Sequence, residues 1–313
     1  MCKQLMDRIV LGWIILMIIA AILGNVSFAA TKGGETSGDF LQIGVGARAA
    51  AMGGAFSAVT DNSDAAYWNP AGLASVETYD LSFSHFSWYQ DIAIEHGAAA
   101  FALSDRAAFA ASVTYLNYGD IDGYDADGVS LGAISAYDWA GALSLGFDLT
   151  SAVQIGVTGK YINQKLDQLS ATAFAADLGV RVNLNRISLA AVATNIGTDL
   201  QFNQVKEKLP AAARIGVAVD PFENGLIVAM EYENRFYGDA VIRNGIEYGY
   251  QNRFFLRTGY SYFAGDSSRE LTDGLTMGAG LKYGVAQIDY AFSFKDNQSN
   301  ESLHRFSVRF GLK

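Results

Sequence analysis

A chain of 313 residues with 32 acidic and 22 basic side chains carries a net charge of −10, which leaves no basic face of the kind a nucleic-acid binder needs. Hydrophobic residues make up 50% of it, yet beyond the N-terminus no run approaches the roughly 20 apolar residues of a membrane helix, so a polytopic helical protein is excluded. The single cysteine, Cys2, removes disulfides and thiolate metal sites from consideration in the rest of the chain.

Residues 1–29 read as a secretory signal. Lys3 and Arg8 give a weakly positive start, residues 9–23 are apolar, and Ser27-Phe28-Ala29 places small residues where a signal peptidase cuts. Cys2 is in the wrong place for lipid attachment. Residues 30–39 are small and polar. Residues 40–76 are crowded with Ala and Gly around Met52 and Phe56, and Asp61-Asn62-Ser63-Asp64 is a helix-start signal. Asn69-Pro70-Ala71-Gly72 is a turn. Two short helices made of small residues are expected here, suited to a confined space such as a barrel lumen; residues 30–76 are the expected plug.

From residue 77 to 313 the pattern changes to a period of two. Ile288, Tyr290, Phe292 and Phe294 alternate with Gln287, Asp289, Ala291 and Ser293. Phe306, Val308, Phe310 and Leu312 alternate with Arg305, Ser307, Arg309 and Gly311. Strand side chains point to opposite faces in turn, so each segment has one apolar and one wet wall. About fourteen such segments follow: 79–89, 92–103, 108–118, 136–149, 152–164, 172–184, 186–197, 210–219, 225–233, 240–250, 252–263, 273–283, 286–294 and 303–312. Most match the roughly 9–11 residues of a tilted membrane strand. The reading is an all-β, transmembrane antiparallel barrel with a short N-terminal helical plug, in a bacterial outer membrane. A soluble sandwich also alternates, but aromatics such as Tyr248, Tyr250, Tyr260 and Tyr262 gather at strand ends, and Pro is scarce at 3 residues. Short connections near 105–106, 150–151, 185–186, 220–224, 251–252 and 284–285 interleave with mostly long polar ones at 119–135, 165–171, 198–209, 234–239, 264–272 and 295–302. Barrels of this kind have short periplasmic turns and long external loops, which puts both chain ends in the periplasm.

The wet wall carries Asp138, Asp148, Lys160, Asp177, Arg181, Arg214, Glu231, Glu233, Arg243, Glu247, Arg257, Lys282, Asp289 and Arg309. A Lys or Arg on the lipid face costs about 2–4 kcal/mol at mid-membrane, so these face the lumen. Either each meets lumen water or opposite signs pair across strands; the balance of signs suits a cross-linked, partly closed interior.

Residues 44–73 add a specific motif: Gly46-Ala47-Arg48, Met52-Gly53-Gly54-Ala55, Asp61 with Asp64, and Trp68-Asn69-Pro70-Ala71-Gly72-Leu73. This segment resembles the N-terminal signature of FadL-type outer-membrane barrels, most closely their PorV/PorQ branch. The resemblance implies a fourteen-stranded barrel whose N-terminal segment is a hatch. In FadL relatives the hatch gates passage of hydrophobic molecules. In PorV-like relatives the barrel serves type IX secretion, receiving exported proteins by a C-terminal domain and passing them to a surface attachment complex. The expected role is therefore handling or anchoring of secreted proteins, with hatch-gated transport of a hydrophobic small molecule as the alternative. The partners implied are outer-membrane lipid and either such C-terminal domains or a hydrophobic ligand.

In the hatch, Gly53-Gly54 permits close approach to the wall. Arg48, Asp61 and Asp64 are placed to pair with lumen charges, and Asn69, Pro70 and Gly72 to set the turn. Asp120, Asp122, Asp125 and Asp127 form a weak Ca²⁺ candidate in one outer loop, but Tyr124 breaks an EF-hand spacing, so a solvated acidic loop is expected. His85 and Ser87 share a strand face, as a hydrolase pair would, but lack an evident third member. His96 and His304 add no metal spacing. No enzymatic activity and no cofactor are expected.

Overall fold

The computed structural model describes residues 36–88, 92–119, 121–222, 225–264, 272–294 and 302–312. The expected signal, residues 1–29, lies outside them. The barrel strands are β1 (Tyr79–Ser87), β2 (Ala93–Ser104), β3 (Ala107–Asn117), β4 (Ala136–Asp148), β5 (Val153–Leu166), β6 (Leu169–Leu184) and β7 (Ile187–Gly197). They continue as β8 (Ala212–Val219), β9 (Leu226–Arg235), β10 (Val241–Tyr250), β11 (Phe254–Phe263), β12 (Leu275–Tyr283), β13 (Ala286–Ser293) and β14 (Leu303–Leu312). All neighbours are antiparallel, and Tyr79 opposite Leu312 closes β1 onto β14, so the fourteen strands leave no open edge. Each segment expected from alternation is a strand, with bounds displaced by no more than three residues.

Alternation sorts the side chains. Phe83, Leu143, Phe174 and Leu256 point outward, each at least 60% exposed. Their chain neighbours point inward, and the charged ones among these are almost all buried. Near the end bearing the long loops, outward rings meet their cross-strand neighbours: Tyr115 with Tyr137 (5.8 Å), Trp139 with Tyr161 (5.3 Å), Tyr161 with Phe174 (5.4 Å) and Tyr290 with Phe306 (4.9 Å). A polar-centred cylinder with an apolar coat and an aromatic belt matches the demands of a bilayer.

Three features depart from expectation. The connection 165–171 is not a long loop: β5 and β6 run on until Leu166 pairs with Leu169, and Asp167 takes the left-handed turn position at φ 53°. The long connection 119–135 carries a hairpin, Ile121–Tyr124 with Ser130–Ile134, and 198–209 carries another, Leu200–Phe202 with Val205–Glu207. The third concerns the chain ends. Leu312 is at the short-turn end beside Tyr79, but Thr36 bridges Lys208 in the connection between β7 and β8, at the long-loop end. The described chain thus begins and ends at opposite ends of the barrel, because residues 36–76 thread the lumen before β1 starts.

The protein's core is inside the cylinder. Residues 36–76 form two 3-10 turns (Asp39–Gln42 and Pro70–Ser75) and two short helices, α1 (Ala47–Ala51) and α2 (Ala65–Trp68). Met52, Phe56 and Leu73 are fully buried.

Candidate functional site

The plug descends from the long-loop end. Phe40 and Leu41 bury against Phe86, Ile94, Leu116 and Ile162. The Tyr67 hydroxyl donates to the Leu41 carbonyl (2.9 Å) and Trp68 Nε1–H to the Val45 carbonyl (3.0 Å), tying the two halves of the plug together. Lower down, the Ser63 backbone N–H donates to Asp80 Oδ1 (2.9 Å) on β1. Ser63 Oγ lies 2.6 Å from that same oxygen and 3.0 Å from Ser82 Oγ. Residues 70–75 then lie against β4, β5 and β6.

The wall is cut away where the plug touches it. A Cβ on Gly245 would fall 2.6 Å from the Met52 carbonyl oxygen, and one on Gly146 2.7 Å from the Pro70 carbonyl. A Cβ on Gly156 would meet Pro70, one on Gly179 Asn69 Oδ1, and one on Gly259 Gly53. Wall and plug are therefore in backbone contact over several strands, closer than any side chain on the wall would permit. Inside the plug, Gly53 and Gly54 have φ of 63° and 77°, and a Cβ on Gly53 would meet the Tyr260 backbone nitrogen at 2.7 Å. A Cβ on Gly72 would fall 2.6 Å from the Thr60 carbonyl. Asn69 Oδ1 accepts from the Ala71 N–H (3.1 Å) while its amide donates to the Ser57 carbonyl (3.0 Å) and toward the Val180 carbonyl (3.4 Å), so one side chain caps a turn and binds the wall. Pro70 follows at the first position of that turn.

Charges complete the attachment. Arg48 of α1 makes a bidentate pair with Glu247 on β10 (Nη2–Oε1 2.7 Å, Nε–Oε2 2.8 Å) and reaches Asp61 at 3.1 Å. Glu247 is in register with Arg257 on β11, which pairs with it (2.5 Å) and with Asp289 on β13 (2.7 Å). Asp64 takes no cation in this way: Ser82 Oγ donates to its Oδ1 (2.5 Å), and burial raises its carboxyl above the ordinary value.

The other wet-wall charges also find protein partners. Lys160 pairs with Asp177 (2.7 Å) and donates to Asn195 Oδ1 (2.8 Å). Arg309 pairs with Asp80 (2.5 Å). Arg214, Arg235 and Arg243 converge on Glu233 (2.7, 2.6 and 3.0 Å), and Glu231 stands 3.6 Å from Arg243. Arg181 instead donates to Gln154 Oε1 (2.7 Å), the Thr60 carbonyl and Ser75 Oγ, two of them plug atoms. Asp138 accepts from Tyr118 and Gln164 (2.8 Å each), and Asp148 from Gln154 (2.9 Å). Lys282 is half-buried near the short-turn end. Of the two readings of these charges, pairing within a closed interior is the one the geometry carries. The residues not singled out from sequence are Asp80, Arg235 and Arg305, although Arg305 stood in an alternating row.

The remaining candidates do not assemble. Asp120 lies outside the described residues. Asp125 Oδ1 accepts from the Asp127 and Val129 N–H groups (3.0 and 2.8 Å), closing its own turn, and among the described residues no three His, Cys, Asp or Glu side chains gather as metal ligands. His85 is outward and exposed, with Nδ1 2.6 Å from Glu95 Oε1, and among the described residues no hydrogen bond joins it to Ser87. His96 Nδ1 is 2.9 Å from Thr114 Oγ1, and His304 Nδ1 is 2.8 Å from the Tyr290 hydroxyl.

No protein-family profile matches the chain, and no curated protein matches it by sequence. Solved structures do resemble it. The toluene transporter TbuX of Ralstonia pickettii superposes with a TM-score of 0.63 at 16% identity, over 86% of this chain and 99% of that one. The toluene transporter TodX of Pseudomonas putida gives 0.62 at 14% identity, over 85% and 97% of the two chains. A FadL homologue of Pseudomonas aeruginosa gives 0.57 at 11% identity, over 91% and 100%. The likeness is one of fold. The chain has the FadL-type fold, a closed barrel of fourteen antiparallel strands with short helical segments ahead of the first.

Proposed function

We propose that the protein is an outer-membrane channel that passes a small hydrophobic or amphiphilic molecule through a lumen gated by residues 36–76. The observation that carries this reading is the form of the closure. The plug is seated against glycine-cleared wall and held by polar groups on facing strands, foremost Arg48 on Glu247. A lumen sealed by polar contacts, which can exchange for water, suits a part that shifts. The fold it shares with TbuX and TodX supports the same reading. In this orientation the long loops face outward, the short turns and Leu312 face the periplasm, and the plug starts at the outer side.

The secretion role implied by the PorV/PorQ-like motif has no observation in its favour. Gly53, Gly54, Asn69, Pro70 and Gly72 are all engaged in seating the plug, as either role would require.

A reversible lock tests the gate. Ser63 Oγ and Ser82 Oγ are 3.0 Å apart, one on the plug and one on β1, so Ser63→Cys with Ser82→Cys places two thiols within reach of a disulfide. Uptake of a monoaromatic compound by cells carrying the locked protein is expected to fall to the level of cells lacking it and to return with reductant. Undiminished uptake in the oxidised state would overturn the proposal.

A further inference from the structure

Between the plug and the long-loop end lies a cavity of about 260 Å³ whose floor includes Gly54 and Trp68. Arg214, Arg235, Arg243 and Arg305 all line it. Against these four guanidinium groups the neighbouring wall offers two carboxylates, Glu231 and Glu233. Glu233 already takes three of the arginines, and Glu231 Oε2 is also held by the Ser57 N–H (2.9 Å). Arg305 has no carboxylate partner among the described residues: it donates to the Gly44 carbonyl and sits over the Phe86 ring, its guanidinium carbon 3.9 Å from the centroid. Arg214 is 4% exposed, and among the described residues its Nη1 has no hydrogen-bond acceptor. A chain with a net charge of −10 thus carries a local cationic surplus inside its own lumen. Buried charge without compensation is costly, so a surplus of this kind is matched to something that enters.

We infer that this chamber binds a compact carboxylate carried on a flat apolar body, such as a monoaromatic acid, in preference to the neutral ring. The inference rests on the channel reading above and names its substrate class. A carboxylate accepts from the planar forks of two guanidinium groups at once. Ile43, Trp88, Phe263 and Leu303, all half-buried, supply the apolar part of the lining for the ring. The volume is below the roughly 300–1,000 Å³ of pockets for drug-sized ligands, which favours one ring over a long chain.

The test is a fluorescence titration of the purified full chain in detergent, with Trp68 and Trp88 as the reporters that border the cavity. Benzoate, benzyl alcohol and acetate are the probes. Saturable benzoate binding is expected, at least about tenfold tighter than that of benzyl alcohol or acetate, and weakened by salt. Arg305→Gln should erase the preference for benzoate, and Arg305→Lys should restore part of it, with boiling-dependent gel mobility confirming that both variants are folded. Equal binding of benzoate and benzyl alcohol overturns the inference while leaving the channel reading in place. Benzoate binding that ignores Arg305→Gln also overturns it. If no probe binds, the chamber is not a ligand site; the cysteine lock then decides on its own whether passage through the plug still stands.

Discussion

Around Glu247 the lumen holds two guanidinium groups, Arg48 and Arg257, against three carboxylates; around Glu233 it holds four against two. Both clusters arise the same way, from inward positions in register on adjacent strands: Glu247 faces Arg257, Glu231 faces Arg243, and Arg214 faces Glu233. They differ in what reaches them. The plug inserts Arg48 into the first, so that each of its carboxylates touches a guanidinium group, and the cluster becomes a fastening between two parts of the chain. Nothing in the described chain brings a matching acid to the second. A cluster completed from within serves structure, and a cluster left with surplus charge facing a cavity has capacity for a ligand.

Substitutions can break this contrast, beginning with the fastening. Glu247→Ala strips two buried guanidinium groups of their shared partner, and breaking a buried pair in this way costs about 3–5 kcal/mol. Thermal unfolding in detergent should report a loss of that size, and Arg48→Ala combined with Glu247→Ala should cost less than the sum of the two single changes. In the chamber the effect on stability should be much smaller: Arg305→Gln removes one donor to the Gly44 carbonyl, a loss of about 1 kcal/mol by the same measurement. A larger loss for Arg305→Gln than for Glu247→Ala would invert the comparison. The smallest effect is expected at Asp64→Asn. Its carboxyl is raised by burial, and an amide oxygen can still accept from Ser82, so the melting temperature should stay level or rise slightly at neutral pH. The sign follows from the raised value: ionised Asp64 is the disfavoured form in the folded state, and its cost is present above its folded pKa and relieved as pH falls through it.

Much of the barrel was legible in the sequence, because a membrane strand has to repeat every two residues. The rows that end in Phe294 and Leu312 show this directly, and so does the inward set from Lys160 to Arg309. The misread connection at 165–171 shows the limit. Beyond Gln164 the hairpin carries Lys165, Asp167, Gln168 and Ser170, which look like a loop, and only pairing between β5 and β6 keeps its arms extended. Partner choice among the lumen charges was not legible either. That three arginines meet at Glu233 depends on the register of β8, β9 and β10, which no local pattern encodes. The plug was marked by small residues, which signal confinement but not direction, so its start at the long-loop end could not be read from composition. Arg305 was visible as an inward residue, but its role depends on the cavity beside it.

The central claim is that residues 36–76 close the lumen of an otherwise open cylinder. Ion conductance in planar bilayers tests it most directly, comparing the full chain with a variant lacking residues 37–74. The full chain is expected to be silent, and the shortened one to give large, steady current steps. Equal steady conductance from both would contradict the account.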